Sequence, residues 1–334
     1  MKKLIRLTAA ALSTIMLVGI LAGCQTDTVD IHEPALMNDA QYDEDIIDLE
    51  QELVPLTATP PTKYTFPQPE ATGKQVKKND KSLIDYSNAA DGYVMISAKS
   101  TKNLKVQIKG PSGTAYTYNL NKDNKFEVFP LSDGNGSYTI GVFEQVEGTK
   151  YSTINSATVK VTLNDAFAPF LRPNQYVNFD IDNKSITKAQ DLVKNSKTTL
   201  DKVSAIYNFV ISTLTYDKDR AKKVAAGELP GYLPDIDQVL SAKKGICFDY
   251  AALMTAMLRS QGIACKLVVG YAGESYHAWI DVYTEETGWI NSLIQFDGKT
   301  WKLMDPTYAS SSKENAEVMK YIGDGKNYSV KYLY

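Results

Sequence analysis

Residues 244–253 read Lys-Gly-Ile-Cys-Phe-Asp-Tyr-Ala-Ala-Leu, a glycine-containing turn followed by the start of an apolar helical pattern. No Gly or Pro interrupts residues 247–261, and apolar side chains recur at the spacing of one helical face until Gly262. The pattern predicts a helix that begins at Cys247. Backbone N–H groups and the helix dipole at such a position favour the nucleophilic thiolate. Cys247 is therefore a candidate nucleophile.

The sequence contains two histidines, and His32 lies in an acidic segment without a folded pattern. His277 lies in the second of two predicted strands, residues 264–271 and 276–283, which are rich in β-branched and aromatic residues. In that strand, His277 is on the face opposite to the aliphatic side chains, which we expect to face the core. We therefore expect His277 to face a cleft and to act as the base that serves Cys247.

A third predicted strand, residues 300–304, ends at Asp305, next to Pro306. Because proline ends a strand's hydrogen bonding, the Asp305 carboxylate lies at a strand end, where it can orient the His277 imidazole. The alternative is that Asp305 only caps the turn before Pro306.

The order of these three residues, with the motifs around them, resembles the transglutaminase-like superfamily. The motifs are Gly-Ile-Cys-Phe-Asp-Tyr-Ala at 245–251, Gly-Tyr at 270–271, Tyr-His-Ala-Trp at 276–279 and Met-Asp-Pro-Thr at 304–307. The resemblance covers residues 200–308. It implies an α+β, papain-like core in which Cys247 attacks an acyl carbon, His277 moves protons and Asp305 orients His277.

These roles imply thiol acyl transfer on a protein, peptide or peptidoglycan-peptide amide, through a thioester on Cys247. Water would resolve the thioester in an amidase or protease, and an amine would resolve it in a cross-linking enzyme. Backbone N–H groups at the helix start are candidate oxyanion donors, and Tyr216 is a candidate second donor. The alternative function is a non-catalytic, wall-associated or adhesive lipoprotein that retains the core as a scaffold.

Residues 1–23 have the pattern of an export signal. Three basic residues precede the uncharged apolar run 7–21, which is too short to span a membrane and is followed by polar residues. Leu-Ala-Gly-Cys at 21–24 resembles a bacterial lipobox, which implies a lipid on Cys24 that anchors the chain to the outer face of a bacterial membrane. In the alternative reading, the signal is simply cleaved and Cys24 has no special role.

Residues 24–80 are predicted to be a disordered tether. Residues 25–62 contain ten acids and no Lys or Arg, and prolines recur up to position 69, so this stretch cannot bury enough apolar surface to fold. Without the three bases of the signal and the ten acids of residues 25–62, residues 63–334 contain 33 bases and 29 acids, a net charge of +4. No basic stripe with interleaved aromatic residues indicates a nucleic-acid partner.

Two domains are predicted after the tether. Short alternating strands separated by Gly-rich turns predict a small all-β sandwich, with the immunoglobulin type as one candidate, over residues 81–165. Residues 166–334 are predicted to be the transglutaminase-like domain. In it, residues 200–214 form an amphipathic helix that packs on the Cys247 helix, residues 225–234 form a loop near the site, and a last strand lies within 321–334.

The three cysteines offer no CxxC pair and no Cys/His cluster, and no EF-hand type of loop is present. We therefore expect no metal ion and no cofactor. We also expect the protein to be a monomer. Cys265 lies in a predicted strand and is expected to pack inside it. A disulfide between Cys247 and Cys265 is not expected, because a helix start and the adjacent strand need not meet the required geometry.

Overall fold

The computed structural model of the protein describes residues 28–30, 66, 68–285, 287–290, 295–296, 301–302, 307 and 328–334. Strands dominate the chain up to residue 161, and helices and strands alternate after it. The fold is therefore of the predicted α+β class.

Within the described part of the chain, nine strands form two antiparallel sheets before residue 162. They are β1 Thr28–Asp30, β2 Val76–Lys78, β3 Ser82–Asp85, β4 Tyr93–Ala98, β5 Leu104–Lys109, β6 Ala115–Leu120, β7 Glu127–Pro130, β8 Gly136–Glu147 and β9 Lys150–Val161. One sheet has the order β1-β9-β8-β5-β6 and the other β2-β3-β4-β7. Ile96 and Phe129 of one sheet join Val106 and Ile140 of the other in a single apolar core. The two sheets form an all-β sandwich.

Two of these strands lie within the stretch that the sequence predicts as a tether. β1 pairs with residues 150–152 of β9, and β2 pairs with β3. Each has three residues, which is too short for alternation to be recognised. The predicted signal and Cys24 lie outside the described residues. The boundaries proposed for signal, tether and domains stay predictions.

The remaining elements alternate helices with short strands. The helices are α1 Lys184–Val193, α2 Thr199–Thr213, α3 Lys218–Ala225, α4 Ile236–Ala242 and α5 Cys247–Arg259. The strands are β10 Thr215–Tyr216, β11 Lys244–Gly245, β12 Cys265–Ala272, β13 Ser275–Thr284, β14 Gly288–Ile290, β15 Gln295–Phe296, β16 Trp301–Lys302 and β17 Tyr328–Leu333. The main sheet of this half has the antiparallel order β14-β13-β12-β17. No helix in the described ranges is long and apolar enough to cross a membrane.

Helix α2 begins with a reciprocal cap. The Thr198 hydroxyl accepts the Asp201 N–H at 3.0 Å, and the Asp201 carboxylate accepts the Thr198 N–H at 3.0 Å. A cap of this kind stabilises a helix by about 1 kcal/mol. As predicted, α2 packs against α5.

Helix α5 is more deeply enclosed than its sequence indicates. The spacing of its largest apolar residues predicts one buried face, yet all 13 residues of α5 are buried. The reason is that α1, α2 and α4, as well as β12 and β13, contact the helix. The element that carries Cys247 is therefore the centre of this half of the molecule.

The far end of α5 is fixed by a buried arginine. Arg259 donates from Nε to the Cys265 carbonyl at 2.9 Å, from Nη1 to the Arg172 carbonyl at 2.6 Å and from Nη2 to the Tyr334 oxygen at 2.6 Å. Burial lowers the pKa of Arg259 to about 10. These bonds hold the C-terminal end of α5 against β12 and against Tyr334, the residue that follows β17.

The sandwich and the helical half share one apolar core. Tyr116 and Tyr118 of β6 contact residues from the other half, with ring centroids 5.4 Å apart for Tyr116–Tyr332, 5.4 Å for Tyr118–Tyr176 and 5.8 Å for Tyr118–Tyr334. Each such pair contributes about 0.5–1.5 kcal/mol beyond the area it buries. The two halves therefore stabilise each other.

Candidate active site

Cys247 is the first residue of α5, so the predicted helix start is confirmed. Just before it, β11 runs parallel to β10, with Tyr216 opposite Gly245. A Cβ atom on Gly245 would lie 2.6 Å from the Cβ of Asp249, so only glycine fits here. Ile246 alone separates β11 from α5. Cys247 is 7% exposed at the start of the helix.

His277 reaches the same place from the neighbouring sheet. It lies in β13, opposite Gly270 of β12, and is 7% exposed. Cys247 and His277 line one pocket, although 29 residues separate them in the sequence. The other lining residues are Val224, Ile246, Phe248, Val269, Tyr276 and Ala278.

The two faces of β13 differ from the predicted arrangement in one respect. Ile280 and Val282 face the main core, as predicted. The face that includes His277 is not open along its length, because Trp279 is 1% exposed in a second apolar cluster with Phe170. The His277 ring is stacked near that of Trp279, with centroids 6.2 Å apart. His277 is thus supported by a buried indole.

The pocket is small and almost uncharged. Its volume of about 10 Å³ accommodates roughly one water molecule. Apart from Cys247 and His277, no lining residue can carry a charge near neutral pH. Burial raises the pKa of the Tyr276 phenol, and neighbouring tyrosines and Cys247 raise it further. Tyr276 therefore remains a neutral hydroxyl beside the thiol.

Sequence reasoning identified two members of this site and missed Tyr276. The sequence signal that could have identified Tyr276 as a site residue is its position next to His277. Tyr216, the predicted second oxyanion donor, does not line the pocket, although its backbone pairs with Gly245. Asp305 lies outside the described residues, and its role stays a prediction.

A hydrogen-bonded network surrounds the first turn of α5. The Asp249 side chain is fully buried. It accepts the Ile246 N–H at 2.8 Å, the Tyr232 hydroxyl at 2.6 Å and Arg220 Nη1 at 3.0 Å. Burial raises the pKa of Asp249, and these donors partly offset that effect. Sequence reasoning placed none of these contacts, because the partners lie up to 29 residues away.

Arg220 belongs to α3, whose start is also hydrogen-bonded. Asp217 caps this helix by accepting the Arg220 N–H at 3.0 Å, and Lys244 Nζ lies 3.1 Å from the Asp217 carboxylate. At the other end of α3, Val224 lines the pocket. The contact between Asp217 and Lys244 thereby connects α3, which provides one wall of the pocket, to β11, which precedes Cys247.

Cys265 is a structural residue, as predicted. It is fully buried, and its Sγ lies 3.5 Å from the Thr255 hydroxyl. Burial raises the pKa of the Cys265 thiol to about 12. Cys247 and Cys265 are both free thiols in this structure. Among the described side chains, no group of three or more His, Cys, Asp or Glu could hold a metal ion.

Comparison with known proteins identifies a family for part of the chain. Residues 186–292 match the model of the transglutaminase-like superfamily, which confirms the resemblance noted in the sequence. YebA, an uncharacterised protein of Bacillus subtilis strain 168, is 25% identical in an alignment of 194 residues that covers 50% of this chain and 25% of YebA. The chain thus spans about a quarter of the length of this relative.

Solved structures with some similarity include two bacterial proteins. A proposed cysteine protease from Cytophaga hutchinsonii is 17% identical, with a TM-score of 0.36, and the match covers 78% of this chain and 73% of that one. The periplasmic domain of TgpA from Pseudomonas aeruginosa, bound to ethylmercury, is 15% identical, with a TM-score of 0.31, and the match covers 72% of this chain and 77% of that one.

Proposed function

Because residues 186–292 form a transglutaminase-like domain, we propose that this chain is a thiol acyl-transfer enzyme that acts on peptide or isopeptide amides. The observation that carries the proposal is the shared pocket of Cys247 and His277, with the thiol at the first residue of a buried helix.

In the proposed reaction, the Cys247 thiolate attacks the carbonyl carbon of the amide. The carbon–nitrogen bond breaks, and the leaving nitrogen takes a proton from the His277 imidazolium, so that ammonia or an amine departs and a thioester remains. Water or an acceptor amine then attacks the thioester, and His277 takes a proton from this nucleophile. The Cys247 thiolate leaves, which restores the starting state.

The negative oxygen formed in both steps requires hydrogen-bond donors. The Cys247 backbone N–H is the natural first donor, because it belongs to the first turn of α5, where N–H groups have no partner within the helix. We assign the second donor to the Tyr276 hydroxyl, because Tyr276 lines the pocket and burial raises the pKa of its phenol, which therefore stays protonated. Asp305 is proposed to orient His277.

We expect hydrolysis rather than cross-linking. Water is always present outside the cell, and no described feature marks a site for an acceptor amine. Because no lining residue other than Cys247 and His277 can carry a charge near neutral pH, the pocket supports a neutral carboxamide as the reacting group. The natural substrate is proposed to be a protein, a peptide or the peptide part of peptidoglycan.

The proposed setting is the outer face of a bacterial membrane. The basic, apolar and small-residue pattern of residues 1–24 supports export and lipidation of Cys24, followed by the acidic tether. The protein is proposed to act as a monomer without a metal or cofactor.

A non-catalytic, wall-associated or adhesive role is the second candidate. The observation that favours it is the closed site, since Cys247 and His277 are each 7% exposed and the pocket has room for about one water molecule. Reaction with iodoacetamide at pH 6 separates the two, because an activated thiolate is alkylated there and an inert thiol is not.

The decisive experiment uses the full chain with glutamine-containing peptides and peptidoglycan fragments, with and without a dansylated amine. Cys247→Ala is the test variant, and Cys265→Ala is the matched control. Release of ammonia or amide cleavage without amine incorporation indicates a hydrolase, and incorporation indicates cross-linking. Equal traces for the wild-type protein and Cys247→Ala would exclude the enzyme.

A further inference from the structure

We propose that Asp249, Tyr232 and Arg220 form a positioning network that fixes the start of α5, and with it Cys247, against the pocket wall that α3 provides. The functional part of this inference rests on the proposed acyl-transfer reaction. None of the three residues touches the reacting atoms, so they are positioning residues rather than catalytic ones.

The network begins with a carboxylate that has no access to solvent. Asp249 Oδ1 accepts the Tyr232 hydroxyl at 2.6 Å, while Oδ2 accepts the Ile246 N–H at 2.8 Å and Arg220 Nη1 at 3.0 Å. Ile246 is the residue immediately before Cys247. A displacement of the carboxylate therefore displaces the backbone that places the thiol.

The three donors come from three different segments. Arg220 lies in α3, Tyr232 lies in the loop of residues 226–235 between α3 and α4, and Ile246 precedes α5. Arg220 Nη1 also donates to the Tyr232 hydroxyl at 2.8 Å, and the guanidinium lies 5.3 Å from the centre of the Tyr232 ring. Asp249, Tyr232 and Arg220 are thus each hydrogen-bonded to the other two.

The same segments supply the pocket wall. Val224 lies one helical turn after Arg220 in α3 and lines the pocket that contains Cys247. Because Arg220 is bound to Asp249, the network sets the distance between this wall and the thiol. On its other side, the loop approaches the sandwich, since a Cβ atom on Gly231 would lie 2.8 Å from Asn119 Nδ2 of β6.

A simple helix cap does not account for this arrangement. A first-turn carboxylate can cap a helix and interact with its dipole while it remains exposed to water. Asp249 is instead fully buried at a cost in desolvation, and it is satisfied by long-range partners. Such fully connected polar networks rigidify the groups that they join.

The test deletes one oxygen atom. Tyr232→Phe retains the ring and removes the hydroxyl that bridges Arg220 and Asp249. We expect kcat for ammonia release from a glutamine-containing peptide to fall about tenfold with KM within about twofold of wild type, because the nucleophile is misplaced while the rest of the pocket remains. Amide hydrogen exchange in peptides that cover residues 244–250 should become faster.

Tyr138→Phe is the matched control. Its hydroxyl donates to the Gly134 carbonyl at 2.8 Å inside the sandwich, and the residue is 1% exposed. This variant also loses one phenol hydrogen bond, but within the sandwich and not at the start of α5. We expect its kcat and the exchange of residues 244–250 to match the wild-type protein.

Unchanged exchange at residues 244–250 in Tyr232→Phe would overturn the network, and so would an equal change in Tyr138→Phe. Faster exchange with an unchanged kcat in Tyr232→Phe would overturn the role of the network in positioning Cys247. A wild-type protein that releases no ammonia would instead contradict the proposed function. Exchange would then still decide whether the three residues fix the start of α5.

Discussion

Gly270 lies directly opposite His277 in the paired strands β12 and β13. Its other side is pressed against β17, where a Cβ atom on Gly270 would collide with the Ser329 carbonyl oxygen and lie 2.9 Å from the Trp279 ring. The regular pairing of β12 with β17 also shifts between Val269 and Gly270. The absence of a side chain at Gly270 therefore allows β12 to pack between β13 and β17 at the position opposite His277.

Gly270→Ala should accordingly disturb both stability and the site. We expect the free energy of unfolding to fall by about 1–3 kcal/mol, as for other overpacked cores, with lower activity because the strand opposite His277 moves. Urea unfolding and ammonia release measure the two effects. Gly148→Ala is the control, because nothing lies near a Cβ there and only its positive φ of 51° costs about 1 kcal/mol. Equal effects of the two substitutions would contradict the close contact.

The Tyr276 hydroxyl is the proposed second oxyanion donor. Tyr276→Phe should lower kcat about 10²-fold, as for other single oxyanion donors, and leave the fold intact because the ring remains in place. Tyr216→Phe is the informative comparison, since Tyr216 is the donor expected from sequence but does not line the pocket. We expect its kcat to stay within about threefold of wild type. A larger loss in Tyr216→Phe than in Tyr276→Phe would reverse the assignment.

These assignments show where sequence reasoning succeeded and where it could not. The helix that begins at Cys247 and the strand with His277 follow from local periodicity, and so does most of the sandwich. The contacts of Asp249 with Arg220 and Tyr232 join residues 29 and 17 positions apart, and no local pattern encodes them. The same holds for the enclosure of α5 on all sides, because burial of a helix depends on which elements the fold brings around it.

The cap of α3 predicts a pH dependence of stability. Burial of Asp217 opposes its ionisation, but hydrogen bonds from the Arg220 N–H and from Lys244 outweigh burial and lower the pKa of Asp217. A carboxyl whose pKa is lower in the folded protein stabilises it above the unfolded-state pKa of about 3.9, and this contribution disappears as the pH falls through the folded-state pKa.

Asp217→Ala should therefore lower the free energy of unfolding at pH 7 by about 1 kcal/mol, the typical value of an N-cap. The difference from the wild-type protein should shrink as the pH falls below about 3.9. Urea unfolding at a series of pH values measures it. Asp219→Ala serves as control, because this exposed carboxylate lies 3.9 Å from Lys244 and does not cap the helix. A constant difference between wild type and Asp217→Ala at all pH values would contradict the assigned cap.

Tyr118 of β6 tests whether the two halves of the molecule unfold together. Its ring is 1% exposed and contacts Phe129 within the sandwich at 4.9 Å, but also Tyr176 at 5.4 Å and Tyr334 at 5.8 Å in the helical half. Tyr176 in turn lies 5.5 Å from Phe248, the residue after Cys247. The aromatic contacts therefore run without a break from the sandwich to the start of α5.

Because the core is continuous, we expect one calorimetric transition for both halves, and Tyr118→Ala should lower its temperature through a loss of about 3–5 kcal/mol. Amide exchange should become faster in α5 as well as in the sandwich. Phe143→Ala is a suitable control, since Phe143 is 8% exposed and packs with Tyr151 in a separate cluster of the sandwich. Its effect should be smaller and should leave local exchange in α5 unchanged. Two separate transitions, with only the first displaced by Tyr118→Ala, would mean that the sandwich and the transglutaminase-like domain are stable independently of each other.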